Sequence, residues 1–387
     1  MTFTQIQPIA PVKVPFVDLG WQHQCLQGEI KAAIADVVSK GDFILGQAVA
    51  DFEQSFAQAS GVEYGIGVAC GTDAIAIGLQ ACGIGNGDEV ILPANTFIAT
   101  LIGVLQTGAK PILVDCEPHT ALIDLEAARK AITPQTKAIV PVHLYGQMVS
   151  PMQLLTLAQE YNLIIFEDAA QAHLAQREGY RAGSVGMGAA FSFYPSKNLG
   201  ACGDGGMLVT NDKAVAKKAK ALRNYGCYSK YVHQESGKNS RLDTIQAAIL
   251  GVKLPYLSGW NEARNQAAEN YNNYLIPLAD FGITPIENQS ALGNVYHLYV
   301  IRIDSSCSVN REEIQEQLRI MGIQTGIHYP IPCHLQPAYQ YLGYQKGDFP
   351  QAETLAQEIL SLPMYPGLSE IQIRVVVDSL ASIIRDK

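Results

Sequence analysis

From about residue 60 to about residue 210, short apolar runs alternate with stretches whose apolar residues recur at helical spacing. The runs at 89–92, 111–115, 138–143, 163–166 and 189–193 have the length of buried strands. Between them, 72–82, 97–106, 125–132 and 152–161 place apolar residues every three or four positions, which predicts helices. Strand and helix in regular alternation predict an α/β sheet with largely parallel strands. The run at 205–210 follows a glycine-rich turn and is expected to close the sheet as an antiparallel hairpin partner.

After residue 250 the rhythm changes. Residues 260–275 predict one long amphipathic helix, a natural connector between domains. Beyond it, a strand at 297–303 and helices at 311–321 and 370–384 read as an α+β piece. The expected division is a large domain over 1–255 and a smaller C-terminal domain over 256–387, which suits 387 residues. Neither repeats nor low-complexity segments interrupt the pattern.

Composition narrows the function. Apolar residues make up 48% and charged residues 16%, which leaves surface to be buried against a second subunit. A net charge of −9 argues against nucleic acid as a partner, since a phosphate backbone needs a basic face. The eight cysteines include no CxxC and no metal-ligand spacing, as expected of reduced thiols in a cytoplasmic protein. Residues 1–16 lack a basic start followed by an apolar block, so no signal peptide is expected. No apolar run approaches the roughly 20 residues of a membrane-spanning helix, so no membrane partner is expected either.

The chemistry centres on Lys197 and Asp168. Lys197 follows the aromatic, strand-like run that ends in Tyr194 and precedes the glycine-rich turn at 200–206. Asp168 ends the preceding apolar run, at the carboxyl end of a strand, where open α/β sheets bind ligands. An amine and a carboxylate so placed are what a pyridoxal phosphate enzyme needs. The lysine forms a Schiff base with the aldehyde, and the carboxylate keeps the pyridine nitrogen protonated. An isolated aspartate there could equally cap a helix.

Other residues fit the same cofactor. Gly71 and Thr72 open a helix, and a helix N-terminus with free backbone N–H groups is an anion site for the phosphate; an ordinary N-cap is the competing reading. Ser192 offers a hydroxyl to the same phosphate or to a neighbouring carbonyl. Gln171 is placed to touch the ring oxygen or pack over the ring. Phe97 is placed to stack on the ring, although aromatic residues are more often core.

In this order, the motifs resemble the DegT/DnrJ/EryC1/StrS family of pyridoxal phosphate-dependent sugar aminotransferases. The likeness runs through residues 15–19, 71–74, 85–89, 141–146, 167–171, 196–198, 203–206, 239–243, 328–330 and 361–363. The resemblance implies the type I, aspartate aminotransferase-like fold, with a large, mostly parallel sheet domain and a smaller α+β domain. It assigns Lys197 to the covalent bond with the cofactor and Asp168 to the ring nitrogen. Gln171 falls to the ring oxygen, and Thr72, Ser192 and the Gly71 backbone to the phosphate. Asn239 corresponds to a residue that reaches the phosphate from the neighbouring subunit, which implies an obligate homodimer with shared active sites. Two departures stand out: Leu174 where the family usually has glycine, and Asn86 where proline is common.

The family's reaction implies L-glutamate as amino donor and a nucleotide-linked keto-sugar as acceptor. His328 and Tyr329, on a proline-stiffened segment, form a candidate sugar-binding wall that Tyr194 would complete; the competing reading is that they cap the small domain. The pattern at 328–339 looks most like enzymes acting at C-3 of a keto-sugar carried by dTDP or UDP. The expected substrate is a dTDP-3-keto-6-deoxyhexose, with amination at C-4 or a UDP-linked 3-keto sugar as alternatives. Lys230 reads as a solvated surface lysine before a diphosphate ligand. Lys197 weighs against a dehydratase of the same scaffold, whose members carry histidine there, and an intact Lys197, Asp168 and Gln171 set weighs against a non-enzymatic regulator. The absence of a GxGxxG opening a helix weighs against a dinucleotide-binding oxidoreductase.

Overall fold

The computed structural model describes residues 13–385. Most of the segment read for a leader, residues 1–12, therefore lies outside it. Among the described residues, no helix is long and apolar enough to cross a membrane.

A seven-stranded sheet forms the centre. In chain order its strands are β1 (Tyr64–Val68), β2 (Glu89–Pro93), β3 (Lys110–Val114), β4 (Thr136–Ile139), β5 (Ile164–Asp168), β6 (Gly188–Ser192) and β7 (Gly206–Thr210). Across the sheet they run β1-β7-β6-β5-β4-β2-β3. β7 is antiparallel to both neighbours, β1 and β6, while the remaining pairs are parallel. The hairpin expected at 205–210 thus exists, but it does not close the sheet, because β1 lies outside it. β2 and β7 are buried at every position, which is why they read as continuous apolar runs.

Several helices start where short polar side chains cap them. Asp124 accepts from the N–H groups of Glu126 and Ala127, Ser150 from Gln153, and Asp212 from Ala214 and Val215. The helix Gly71–Ala81 lies almost wholly inside. A Cβ at Gly78 would fall 2.1 Å from the Phe166 ring of β5, so glycine there lets the helix settle onto the sheet.

A second hydrophobic core surrounds a three-stranded antiparallel sheet of β8 (Ile283–Pro285), β9 (Tyr299–Ile303) and β10 (Ile359–Leu362). Helices Arg311–Ile320 and Glu370–Arg385 cover it. The helix Leu257–Leu275 serves both cores: Leu257 and Trp260 pack into the first, and Ala267, Ala268, Tyr271 and Leu275 into the second. Val14 also packs into the second core, with its backbone bonded to Gly322 and Gln324.

Candidate active site

A cleft of about 430 Å3 opens where β5 and β6 end beside the N-terminus of helix Gly71–Ala81. Lys197, Asp168, Gly71, Thr72, Phe97, Gln171, Ser192, Tyr194, His328 and Tyr329 all line it. Asn239 does not; it is exposed, on a bridge to Asn224. Lys230 is exposed and also outside the lining.

Asp168 is buried at the tip of β5. Its carboxylate accepts from Thr100 Oγ1 at 2.7 Å and from the Ala170 N–H at 3.1 Å. Burial raises its pKa, against the pull of these donors and of Lys197. Lys197 is held by a turn in which its own N–H donates to Tyr194 O at 2.8 Å, with Pro195 in the second position. Burial lowers the Lys197 amine to about 8, against the opposing charge of Asp168.

The phosphate-sized corner lies between the helix and β6. No side chain caps the helix Gly71–Ala81 at Cys70, which leaves its first-turn N–H groups directed outward. A Cβ on Gly71 would lie 2.8 Å from Ser192 Cβ, so only glycine allows the helix this close to β6. The Ser192 hydroxyl accepts from the Tyr194 N–H at 3.3 Å, and Ser192 O accepts from His173 Nε2 at 2.9 Å.

Gln171 links the two sides of the cleft. Its Oε1 accepts from the Tyr145 N–H at 2.6 Å, and its Nε2 donates to the Tyr329 hydroxyl at 3.1 Å. Tyr145 in turn donates its hydroxyl to His328 O at 2.7 Å. Phe97, half exposed at the rim, packs against Tyr329 with ring centroids 5.1 Å apart. His328 stacks on Phe16 and pairs with Ser361 Oγ at 2.8 Å, and burial lowers its pKa to about 4. The polar wall is thus tied by hydrogen bonds to the strand ends below it.

Three residues in or behind the cleft escape a reading of the sequence. Glu167, wholly buried, accepts from His143 and from the backbone of Gly183, Val185 and Gly186. Thr100 reaches Asp168 from 68 residues away. His297, two residues before β9, lines the cleft. None carries a local signal, because each partner comes from a different element. Leu174 sits at φ +66°, a left-handed conformation that glycine adopts without strain.

The family model for the DegT/DnrJ/EryC1/StrS aminotransferases matches residues 24–381. The chain belongs to that family. It is 44% identical over 375 residues to a protein named "Pleiotropic regulatory protein" from Geobacillus stearothermophilus, covering 97% of this chain and 99% of that one. It is 42% identical over 368 residues to the dTDP-3-amino-3,4,6-trideoxy-alpha-D-glucose transaminase of Streptomyces venezuelae, covering 95% of each. Among solved structures, S. venezuelae DesV in complex with a ketimine intermediate superposes with a TM-score of 0.92 at 42% identity, over 96% of this chain and 98% of that one. The fold is therefore the type I pyridoxal phosphate transferase fold, and the protein is a nucleotide-sugar aminotransferase.

The cofactor of this family is pyridoxal 5′-phosphate. The residues present fit it. An amine and a buried carboxylate share one cleft, and the uncapped helix start lies against Ser192 at a spacing that a Cβ would fill.

Proposed function

We propose that this aminotransferase moves the amino group of L-glutamate onto C-3 of a dTDP-linked 3-keto-6-deoxyhexose, giving the 3-amino sugar and 2-oxoglutarate. The observation that carries the reading is the shared cleft of Lys197 and Asp168 beneath the wall of His328 and Tyr329. The name of the S. venezuelae relative supports a dTDP carrier and amination at C-3.

In this reading Lys197 Nζ would hold the cofactor through its aldehyde and, when free, would take up and return a proton at the substrate carbon that bears the amino group. A lysine near pKa 8 suits that task, because a useful fraction is neutral close to physiological pH. Asp168 would hold the proton of the ring nitrogen; Thr100 and the Ala170 N–H keep that carboxylate oriented. Gln171 would hold the ring oxygen, Phe97 would pack on the ring, and Gly71, Thr72 and Ser192 would hold the phosphate. Pyridoxal phosphate supplies the electron sink and carries the amino group between half-reactions. Tyr194, His328 and Tyr329 bind the sugar. Asn239 reaches the phosphate of the partner subunit, so the working form is a homodimer.

The test is a single turnover. The enzyme is first converted by glutamate to its amino form, then offered a dTDP-3-keto-6-deoxyhexose or a 4-keto analogue. Return of the visible band of the lysine-bound cofactor with the 3-keto sugar alone is expected. Return with the 4-keto sugar alone overturns the position, and no loss of the band with glutamate overturns the reaction.

A further inference from the structure

Asn198, the residue after Lys197, is 1% exposed and makes three hydrogen bonds. Its Nδ2 donates to Val295 O at 2.8 Å and to Asn261 Oδ1 at 2.9 Å. A backbone carbonyl can only accept, so the orientation of the amide is fixed. Asn261 is fixed in the same way, because its Nδ2 donates to His173 O at 3.0 Å. The atom of Asn198 that remains, Oδ1, lies 3.2 Å from Nδ1 of His297. An amide oxygen accepts, so Nδ1 of His297 carries the hydrogen.

Burial, reinforced by the nearby charges of Lys197 and Arg264, keeps the His297 ring neutral. A neutral imidazole with its hydrogen on Nδ1 has a free lone pair on Nε2. That nitrogen makes no hydrogen bond to any described residue and is not sealed in, while His297 lines the cleft that holds Lys197 and Asp168. An acceptor that no protein donor fills, on a ring lining a ligand cleft, favours a ligand that brings a donor to it.

We propose that His297 Nε2 accepts a hydrogen bond from an N–H or O–H group that the substrate brings in beside Lys197. The inference rests on the aminotransferase reading above and adds a binding residue to it. The donor has two possible sources, the ammonium of the amino-acid donor or a hydroxyl of the sugar.

Two variants and one label test it. His297→Asn keeps an N–H directed at Asn198 but withdraws the acceptor, whereas His297→Gln can return an amide oxygen to the position of Nε2. The half-reactions with L-glutamate and with the nucleotide-linked keto-sugar are followed separately, alongside cofactor content and thermal midpoint. His297→Asn is expected to slow at least one half-reaction by roughly tenfold, the worth of one such bond, with His297→Gln recovering part of the loss. A deficit confined to glutamate identifies the ammonium as donor, and one confined to the sugar identifies a hydroxyl. In wild-type enzyme with 15N-labelled histidine, the unprotonated Nε2 signal of His297 is expected to move when that same substrate binds. Unchanged rates, or for variants that do not fold an Nε2 signal that neither substrate moves, overturn the proposal. A wild-type enzyme that reacts with glutamate but with no keto-sugar overturns the acceptor assignment instead, and the glutamate arm still decides the role of His297.

Discussion

Glu167 and His143 are joined by a hydrogen bond of 2.9 Å in the interior, one residue before Asp168 in the chain. The Val149 N–H donates to His143 Nδ1 at 3.2 Å, so the imidazole hydrogen lies on Nε2 and points at Glu167. Gly183, Val185 and Gly186 add three backbone donors to the same carboxylate. These bonds anchor the end of β5 and the loop that follows β5, and with them the position of Asp168. Glu167→Gln would turn an amide group toward N–H donors that need an acceptor. A loss of about 2–4 kcal/mol is expected, as for breaking a buried charged network. Denaturant unfolding of the cofactor-free variant, together with its capacity to bind cofactor, checks this; an unchanged midpoint would remove Glu167 from the account.

The amine of Lys197 should titrate well below an ordinary lysine in the cofactor-free protein, near 8 where the usual value is 10.5. Between those values the unfolded chain binds more protons than the folded one, so this group's contribution to stability rises as pH increases from about 8 to 10.5. Below that window the cost of burying the ammonium is fully present. Acylation of Lys197 by an amine-directed reagent, read by mass spectrometry, should reach half its maximal rate near pH 8. Asp168→Asn removes the charge that raises the lysine, so the midpoint should move to lower pH. A midpoint that stays or climbs contradicts the electrostatic coupling of the two residues.

Gly71 and Gly251 offer a matched pair of substitutions. A Cβ at Gly71 meets Ser192 Cβ at 2.8 Å and Ser192 Cα at 3.3 Å, whereas one at Gly251, in the helix Thr244–Lys253, meets nothing within 4 Å. Gly71→Ala should push the helix start off β6 and weaken cofactor binding at least tenfold, with about 1–3 kcal/mol of overpacking cost. Gly251→Ala should leave cofactor affinity alone and stabilise by up to about 1 kcal/mol through helix propensity. Equal cofactor affinities for the two variants would separate Gly71 from the phosphate.

The sheet is legible in the sequence wherever both faces of a strand are buried by apolar side chains, as in β2 and β5. β1 is hidden because Gly65 and Gly67 interrupt its apolar run. Both are small for a tertiary reason: a Cβ at Gly65 would meet Glu53 O at 2.4 Å, and one at Gly67 would meet Leu242 Cβ at 2.9 Å. Without β1, β7 reads as an edge. The residues that line the cleft from strand ends and helix starts announce themselves, since their neighbours in sequence are the elements that place them. Asn198 and His297 are separated by 99 residues and no periodicity couples them, so their pairing appears only in the fold.

Asn239 decides whether the site is shared. It is exposed, and it is held beside the start of helix Gly71–Ala81 by its neighbour Ser240, which donates to Asp73 Oδ2 at 2.7 Å. A residue that served its own cleft would be expected among the lining, and Asn239 is not there. If it serves the partner's phosphate, Lys197→Ala and Asn239→Ala fail in different subunits. A mixed dimer would then hold one site with both defects and one with neither. Mixing the two inactive or weakened variants under conditions that exchange subunits should therefore restore turnover, up to about half the wild-type activity per heterodimer. If Asn239 acts within its own chain, each site of the mixed dimer keeps one defect and mixing restores nothing.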